Sequence, residues 1–262
     1  MTILEKILAQ KKIEVEQLKS NGFERFETVT MKYESVFPKN ESMHIIAEIK
    51  RASPSKGAIN MNVDPVKQAK QYEQLGASAI SVLTDKTFFN GSMSDLHAVR
   101  EAVDIPLLCK DFMIDEIQID QAKNAGATII LLIVAALSKS RLQDLYNYAK
   151  KQNLEVLCEV HDENEMEAAI RLGANIIGIN NRNLKSFEVD LNVIEKLSKM
   201  VKNSAATLIS ESGIKSREDV ERIAAYGAQG ILIGETLMRS TDLTAAFQDV
   251  KIPLKGVHYN AR

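Results

Sequence analysis

The chain has 262 residues, of which 45% are apolar and 26% are charged, a composition typical of a globular protein that can bury a substantial core. Its formal net charge of -2 gives no general attraction to nucleic acid or to an anionic membrane, so local charges must hold any anionic ligand. The two cysteines, Cys109 and Cys158, fit neither a disulfide framework nor a zinc site, and they indicate a protein of the reducing cytoplasm.

The chain begins with a predicted helix over residues 2 to about 20, on the basis of its apolar spacing. Thr2 and Glu5 form a capping box at its start, and Asn21-Gly22 is a typical helix end. The charged Glu5 also lies where a signal peptide would need an apolar core. The longest apolar run, Ile129–Leu137, is about half of the ~20 residues that a membrane span requires, so no membrane association is expected.

The first predicted strand, Ile45–Lys50, is apolar and ends in charged residues. Strand side chains alternate between two faces, so Ile46, Glu48 and Lys50 share one face. A polar loop, Ser-Pro-Ser-Lys-Gly at residues 53–57, follows and is suited to anions. This stretch alone is compatible with the wall of an active site and equally with a solvated strand end beside a surface loop.

Four similar phrases recur along the chain, each with a glycine at a helix end followed by an apolar strand. They are Leu75–Ile80, Ala125–Ile130, Leu172–Ile177 and Tyr226–Ile231. Successive glycines lie about 50 residues apart and one helix-plus-strand unit needs ~30 residues or fewer, so each interval is expected to hold two units.

The remaining strands are predicted between these phrases, at Ile45–Lys50, Pro106–Lys110, Leu154–Glu159 and Thr207–Glu211. Helices are predicted near residues 65–75, 94–102, 115–125, 138–151, 162–172, 190–200, 216–226 and 241–249. Eight strands that alternate with eight helices predict an α/β fold, the (β/α)8 TIM barrel, as a single domain over 1–262. Residues 1–43 are an N-terminal helical extension within it. A doubly wound open sheet is the structural alternative, although it rarely has eight evenly spaced units.

Polar and charged side chains follow most of the predicted strands, at the ends where barrel enzymes place their active sites. They are Glu48, Lys50 and Ser53 after strand 1, Lys110 and Asp111 after strand 3, Glu159 after strand 5, Asn180 and Arg182 after strand 6, Glu211 after strand 7 and Glu235 after strand 8. Their convergence on one mouth of the barrel favours a catalytic site.

Several of these residues also have a purely structural interpretation. Lys110 can pair with Asp111 on the rim, and Glu159 can be an exposed strand end. Asn180 and Arg182 can brace a loop. Asp111 is better suited to orienting or capping than to reacting.

The cysteines and histidines are not expected to take part in catalysis. Cys109 and Cys158 precede Lys110 and Glu159, so strand alternation turns them away from the barrel axis, where they pack. The four histidines fall at no common site, so the pattern indicates neither a metal centre nor a histidine base. They are His44, His97, His161 and His258.

Two short turns after strands 7 and 8, Ser212-Gly213 and Gly234-Glu235, predict a phosphate site. Barrels often bind phosphate there through backbone N–H groups, and glycine lets the backbone approach the ligand closely. Ser53, with Lys56, is expected to close on the phosphate from the other side. A phosphorylated small molecule is therefore the expected ligand.

These residues resemble the indole-3-glycerol-phosphate synthase family of tryptophan biosynthesis. The resemblance lies in six phrases: Ala47–Gly57, Phe89–Ser92, Leu108–Phe112, Ile179–Leu184, Ser210–Gly213 and Ile233–Glu235. It covers nearly the whole chain, and no position that we carry over departs from the family pattern.

The resemblance implies a lyase that acts on 1-(2-carboxyphenylamino)-1-deoxyribulose 5-phosphate. Such an enzyme closes the indole ring and releases carbon dioxide and water, without a metal or an organic cofactor. Lys110 would be the acid for ring closure, with a pKa lowered toward the working pH by its partly dry surroundings.

The resemblance also implies roles for the neighbouring residues. Lys50 would pair with the aryl carboxylate and act as a second acid when the hydroxyl leaves. Glu159 and Glu48 are the candidate bases, and the step at which each acts stays open. Asn180, Arg182 and Glu211 would orient the substrate, while Phe89 and Phe112 would line the slot for its aromatic ring. The leader helix would fold over the mouth.

Two other functions are compatible with a phosphate-binding barrel. An aldose–ketose isomerase acting on a phosphoribosyl compound would need one acid and one base, but not the second lysine or the long leader. A catalytically inactive sensor of a phosphorylated ligand would not need the full set of lysines and glutamates. No pattern in the sequence reports the oligomeric state, for which we take a monomer as the expectation.

Overall fold

Eight parallel strands form a closed barrel in the computed structural model, which describes residues 1–27, 31, 33–201 and 205–254. The strands are β1 His44–Ile49, β2 Ala79–Leu83, β3 Leu107–Lys110, β4 Ile129–Ile133, β5 Glu155–Val160, β6 Ile176–Asn180, β7 Thr207–Glu211 and β8 Gly230–Ile233. Each pairs in parallel with the next, and β8 pairs with β1. The predicted barrel is therefore confirmed, and an open sheet is excluded.

Helices connect the strands at the positions that the sequence predicts, with boundaries that differ by a few residues. They are α1 Ile3–Asn21, α2 Pro65–Gln74, α3 Lys86–Phe89, α4 Met93–Arg100, α5 Glu116–Asn124, α6 Lys139–Lys151, α7 Glu163–Leu172, α8 Asn192–Ser198, α9 Arg217–Ala225, α10 Glu235–Met238 and α11 Leu243–Val250. The short helices α3 and α10 were not predicted, and each follows a strand end at the mouth of the barrel.

Strand alternation divides the apolar residues between the barrel interior and the layer beneath the helices. Ile46 belongs to the interior cluster, between Ala79 of β2 and Leu232 of β8 in the ladder. Cys109 and Cys158 are fully buried in the outer cluster, with the residues that pack against the helices. The predicted orientation of both faces is confirmed.

The ends of the helices follow their predicted chemistry. The Thr2–Glu5 capping box is present, and α1 ends at Gly22, whose φ is 72°. The four repeat glycines, Gly76, Gly126, Gly173 and Gly227, all have positive φ between 74° and 96°. A positive φ ends a helix without steric cost only at glycine, which explains the repeated phrase.

Residues Ala52–Ser53 pair with Gly57–Ala58 in a short hairpin that frames the predicted polar loop after β1. None of the helices in the described part of the chain combines the length and the apolar character that crossing a bilayer requires. His258 lies outside the described residues. The extent of the single domain, 1–262 with an extension at 1–43, stays a prediction.

Candidate active site

A cavity of about 970 Å³ opens at the C-terminal ends of the strands, where the sequence predicts the active site. All fourteen predicted site residues line it: Glu48, Lys50, Ser53, Phe89, Lys110, Phe112, Glu159, Asn180, Arg182, Glu211, Ser212, Gly213, Gly234 and Glu235. Ile3, Leu4 and Ile7 of α1 also line it, so the leader helix covers part of the mouth. Residues of all eight strands and of the leader helix thus line one concave site.

Two lysines and three glutamates form the charged centre of this cavity. The ammonium of Lys110 lies 2.5 Å from Oε2 of Glu211 and 3.4 Å from Oε2 of Glu159. Lys50, the residue that follows β1, donates a hydrogen bond to Oε1 of Glu48, two residues before it. All three carboxylates are buried, with no more than 4% of each residue exposed. Buried charges of this kind are tolerated when they are paired.

The ionisation of Lys110 differs from the prediction. Burial alone would lower its pKa, but the coulombic attraction of Glu211, Glu159 and Glu48 outweighs this effect and holds the pKa above its ordinary value. The prediction that the pKa of Lys110 is lowered was therefore wrong. Three carboxylates surround the ammonium, and their attraction outweighs the effect of burial. Without ligand, Lys110 is therefore a charged proton donor at neutral pH. The structural alternative for Lys110, a pairing with Asp111 on the rim, does not occur, because Asp111 binds Lys11 instead.

The carboxyl groups of Glu159 and Glu211 differ in ionisation although both lie next to Lys110. Burial raises the pKa of Glu159, but the charges of Lys110 and His161 more than offset it, so its pKa lies well below the ordinary value. Burial, together with the charges of Glu159 and Glu48, raises the pKa of Glu211 to about 7 against the attraction of Lys110. Oε1 of Glu211 has no hydrogen-bond partner among the described residues. The site thus holds one firmly ionised carboxylate beside one that titrates near neutrality.

His161 is a partner of the cavity residue Glu159 that the sequence analysis did not identify. Its Nε2 lies 3.3 Å from Oε1 of Glu159 in an ion-pair contact that is not aligned as a hydrogen bond, and its Nδ1 lies 3.0 Å from Oε2 of Glu165. Burial would lower its pKa, but the two carboxylates raise it to about 10. The spacing Glu159-x-His161 at the end of a strand was the available signal, since residues two apart share a face.

Asn180 and Arg182 brace the wall of the cavity next to Glu159. Nδ2 of Asn180 donates to Oε1 of Glu159 at 3.1 Å, and its Oδ1 accepts from the Arg182 backbone N–H at 3.0 Å. The Arg182 guanidinium donates to the carbonyl oxygen of Phe187 at 3.1 Å. Both residues therefore fix a loop and also face the cavity.

Phe89 and Phe112 face each other across another part of the cavity. Their ring centroids lie 5.9 Å apart with an interplanar angle of 34°. Phe89 ends α3 after β2, and Phe112 follows β3, so neighbouring strands bring the two rings together. We call this pair the aromatic slot.

The turns after β7 and β8 have the backbone geometry that small residues permit. Ser212 and Gly213 have φ of 67° and 86°, in the left-handed region. A Cβ at Gly234 would lie 2.4 Å from Oε1 of Glu48, so only glycine leaves room for that carboxylate. The Glu235 side chain turns toward Arg239 at 3.3 Å and Lys56 at 3.7 Å.

Comparison of the sequence with known proteins identifies the family to which the chain belongs. The model of the indole-3-glycerol phosphate synthase family matches residues 4–250. This chain belongs to that family. The synthase named for Oceanobacillus iheyensis is 54% identical over 256 residues, covering 97% of this chain and 98% of the relative. The one from Bacillus mycoides is 54% identical over 253 residues, covering 96% and 98%.

Solved structures outside the synthase family share its fold. A 3-hexulose-6-phosphate synthase superposes with a TM-score of 0.64 at 16% identity, covering 79% of this chain and 98% of that one. The N-acetylmannosamine-6-phosphate 2-epimerase from Clostridium perfringens gives 0.59 at 16% identity, covering 78% and 92%. At such low identity these two structures support the barrel fold alone.

Proposed function

We propose that this chain converts 1-(2-carboxyphenylamino)-1-deoxyribulose 5-phosphate into indole-3-glycerol phosphate, carbon dioxide and water. Membership of the synthase family is the observation that carries this proposal. The cavity supports it independently, because Lys50, Lys110, Glu48 and Glu159 supply two acids and two bases within one site.

The substrate is proposed to bind at three places in the cavity. Its phosphate lies against the turns Ser212-Gly213 and Gly234-Glu235, with Ser53 opposite. Its aryl ring enters the aromatic slot. Its carboxylate pairs with Lys50, and this contact weakens the Lys50–Glu48 pair. Holding both ends of the molecule brings the aryl carbon close to the ketone.

Ring closure joins the aryl carbon that bears the carboxylate to the ketone carbon of the sugar. The ketone oxygen gains negative charge as this bond forms, and the charged Lys110 donates a proton to it. Loss of carbon dioxide then returns the electron pair of the broken bond to the ring and restores its aromaticity. Glu159 and Glu211 keep Lys110 protonated before the step, in keeping with its raised pKa.

Dehydration removes the new hydroxyl group and one proton from the adjacent CH2 group. Lys50 is the proposed acid that protonates the leaving hydroxyl. Glu48 and Glu159 are the candidate bases for the proton: Glu48 is released when Lys50 turns to the substrate, and Glu159 is ionised at neutral pH. Asn180, Arg182 and Glu211 are proposed to orient the substrate hydroxyls and these side chains.

Incubation of the purified chain with the proposed substrate tests this function. Indole absorbance and fluorescence should appear, and the chain contains no Trp that would obscure them. Isomerisation of a phosphoribosyl compound without indole formation would favour the isomerase instead. Tight binding of the substrate without turnover would favour the sensor. Cytoplasmic location and a monomeric state stay predictions, and size-exclusion chromatography tests the latter.

A further inference from the structure

A buried lysine on the leader helix connects it to two strand ends at the mouth. Lys11 is only 3% exposed, and its ammonium lies 2.8 Å from Oδ2 of Asp85 and 2.7 Å from Oδ1 of Asp111. Glu14 of the same helix contributes a third carboxylate at 2.8 Å. Asp85 follows β2 and Asp111 follows β3, so one cation bridges two neighbouring strands from above.

Each of these aspartates also fixes the segment that carries one ring of the aromatic slot. Asp85 caps α3 by accepting from the Phe88 backbone N–H at 2.6 Å, and the next residue is Phe89. Asp111 accepts from the Phe112 backbone N–H at 2.7 Å. Thr84 donates to the other oxygen of Asp111 at 2.7 Å, which fixes the orientation of the carboxylate.

We propose that Lys11 is a positioning residue that sets the spacing between Phe89 and Phe112, so that the leader helix controls binding of the substrate's aryl ring. This role rests on the proposed function. Lys11 does not line the cavity, and it acts through Asp85 and Asp111.

The physical reason is that the Lys11 ammonium attracts two buried carboxylates on neighbouring strand ends, and these carboxylates repel each other without it. Asp85 is fully buried and Asp111 is 5% exposed, so neither carboxylate has enough water to stabilise its charge. Without the ammonium, the two carboxylates repel each other and must move apart or toward solvent. Either change moves the backbone amides that they hold, and with them Phe89 and Phe112. Burial would lower the pKa of Lys11, but the two aspartates raise it, so the bridge is charged at neutral pH.

A second lysine of the same helix provides a control. It distinguishes positioning of the aromatic slot from mere attachment of the helix to the barrel. Lys19 also joins α1 to the barrel, through Asp115 at 2.7 Å, but its side chain is 47% exposed and it lies about two helical turns beyond Lys11. Lys19→Met removes the ion pair with Asp115 and leaves the contacts of Lys11 with Asp85 and Asp111 in place. It is therefore the matched control for Lys11→Met.

The experiment measures kcat, KM and melting temperature for the wild type, Lys11→Met and Lys19→Met. It also measures equilibrium binding of the substrate with its ketone reduced to an alcohol, which cannot close the ring. We expect Lys11→Met to raise KM, and the Kd of the reduced analogue, by about tenfold, the loss expected when the aryl ring no longer stacks well. Lys19→Met should change both by less than about twofold.

A second variant, Lys11→Met/Asp85→Asn, is measured to separate an effect on substrate binding from a general loss of stability in Lys11→Met. It removes one uncompensated charge, and the amide at position 85 can still accept from the Phe88 N–H. We expect its melting temperature to recover relative to Lys11→Met, because the repulsion is relieved, while KM stays raised, because no ammonium draws the two strand ends together.

Two results would overturn the positioning role: a KM for Lys11→Met equal to that of the active wild type, or recovery of KM together with stability in the double variant. A wild-type chain that leaves the substrate unchanged would instead refute the proposed function.

Discussion

At the scale of single residues, the first prediction concerns Lys110. Lys110→Ala should lower kcat by at least about 100-fold, because acid catalysis is worth ~10²–10⁴ in rate. Steady-state kinetics with the proposed substrate measures this, and a near-normal kcat would exclude Lys110 as the acid. Lys150→Ala is a matched control, because Lys150 pairs with Glu155 at 2.6 Å at the opposite end of β5 and should leave kcat unchanged.

The second residue-scale prediction concerns the pH dependence that His161 confers on Glu159. In His161→Asn the positive charge beside Glu159 is lost, so the pKa of Glu159 rises. The acidic limb of the profile of kcat/KM against pH should therefore move to higher pH. Lys110, Asn180 and Glu211 also face Glu159 and are unchanged in this variant.

A profile of kcat/KM measured across the acidic range decides the role of His161. An unchanged acidic limb in His161→Asn would show that the imidazole does not set the ionisation of the catalytic base, as expected if Glu48 and not Glu159 takes the proton. A lower kcat at all pH values, without movement of the limb, would likewise contradict the electrostatic explanation.

At the scale of elements, the turn after β7 is expected to affect binding rather than chemistry. Gly213 has φ of 86°, and a Cβ there would lie 2.3 Å from Cγ1 of Val189. Gly213→Ala should therefore displace the backbone N–H groups proposed to hold the phosphate. Loss of one charge-assisted hydrogen bond costs about 1.5–3 kcal/mol, so KM should rise roughly 10- to 100-fold.

A helix-end glycine serves as the control for backbone strain in this experiment. Gly173 ends α7 with φ of 74°, and a Cβ there would contact nothing within 4 Å. Gly173→Ala should lower the melting temperature slightly and leave KM unchanged. If Gly213→Ala also left KM unchanged, the phosphate would have to bind elsewhere.

At the scale of the whole molecule, His161 links folding stability to pH. Its pKa is about 10 in the folded chain against an ordinary value of 6.5, so the folded state holds its proton more tightly. The resulting stabilisation is complete below pH 6.5 and is lost as pH rises toward 10. The difference in melting temperature between wild type and His161→Asn should therefore be largest near pH 6 and shrink toward pH 10. A constant difference across this range would contradict the linkage.

Much of the fold was predictable because its signals are local. The repeat glycines mark helix ends through their own φ angles, and the capping box of α1 spans four residues. Strand alternation placed Glu48 inside the barrel and Cys109 outside it without knowledge of any neighbour. The small helices α3 and α10 were missed because four residues give too short a pattern to recognise.

The sequence by itself therefore determined the order of strands and helices, the face on which each strand residue lies, and the set of residues at the mouth. Only the tertiary structure decided which charges meet there. Lys110 lies beside Glu211 from a strand 101 residues later, and Lys11 reaches Asp85 and Asp111 from the leader. The physical reason is that a strand's alternation depends on its own backbone, whereas a side chain's ionisation depends on burial and on charges that distant segments bring to it.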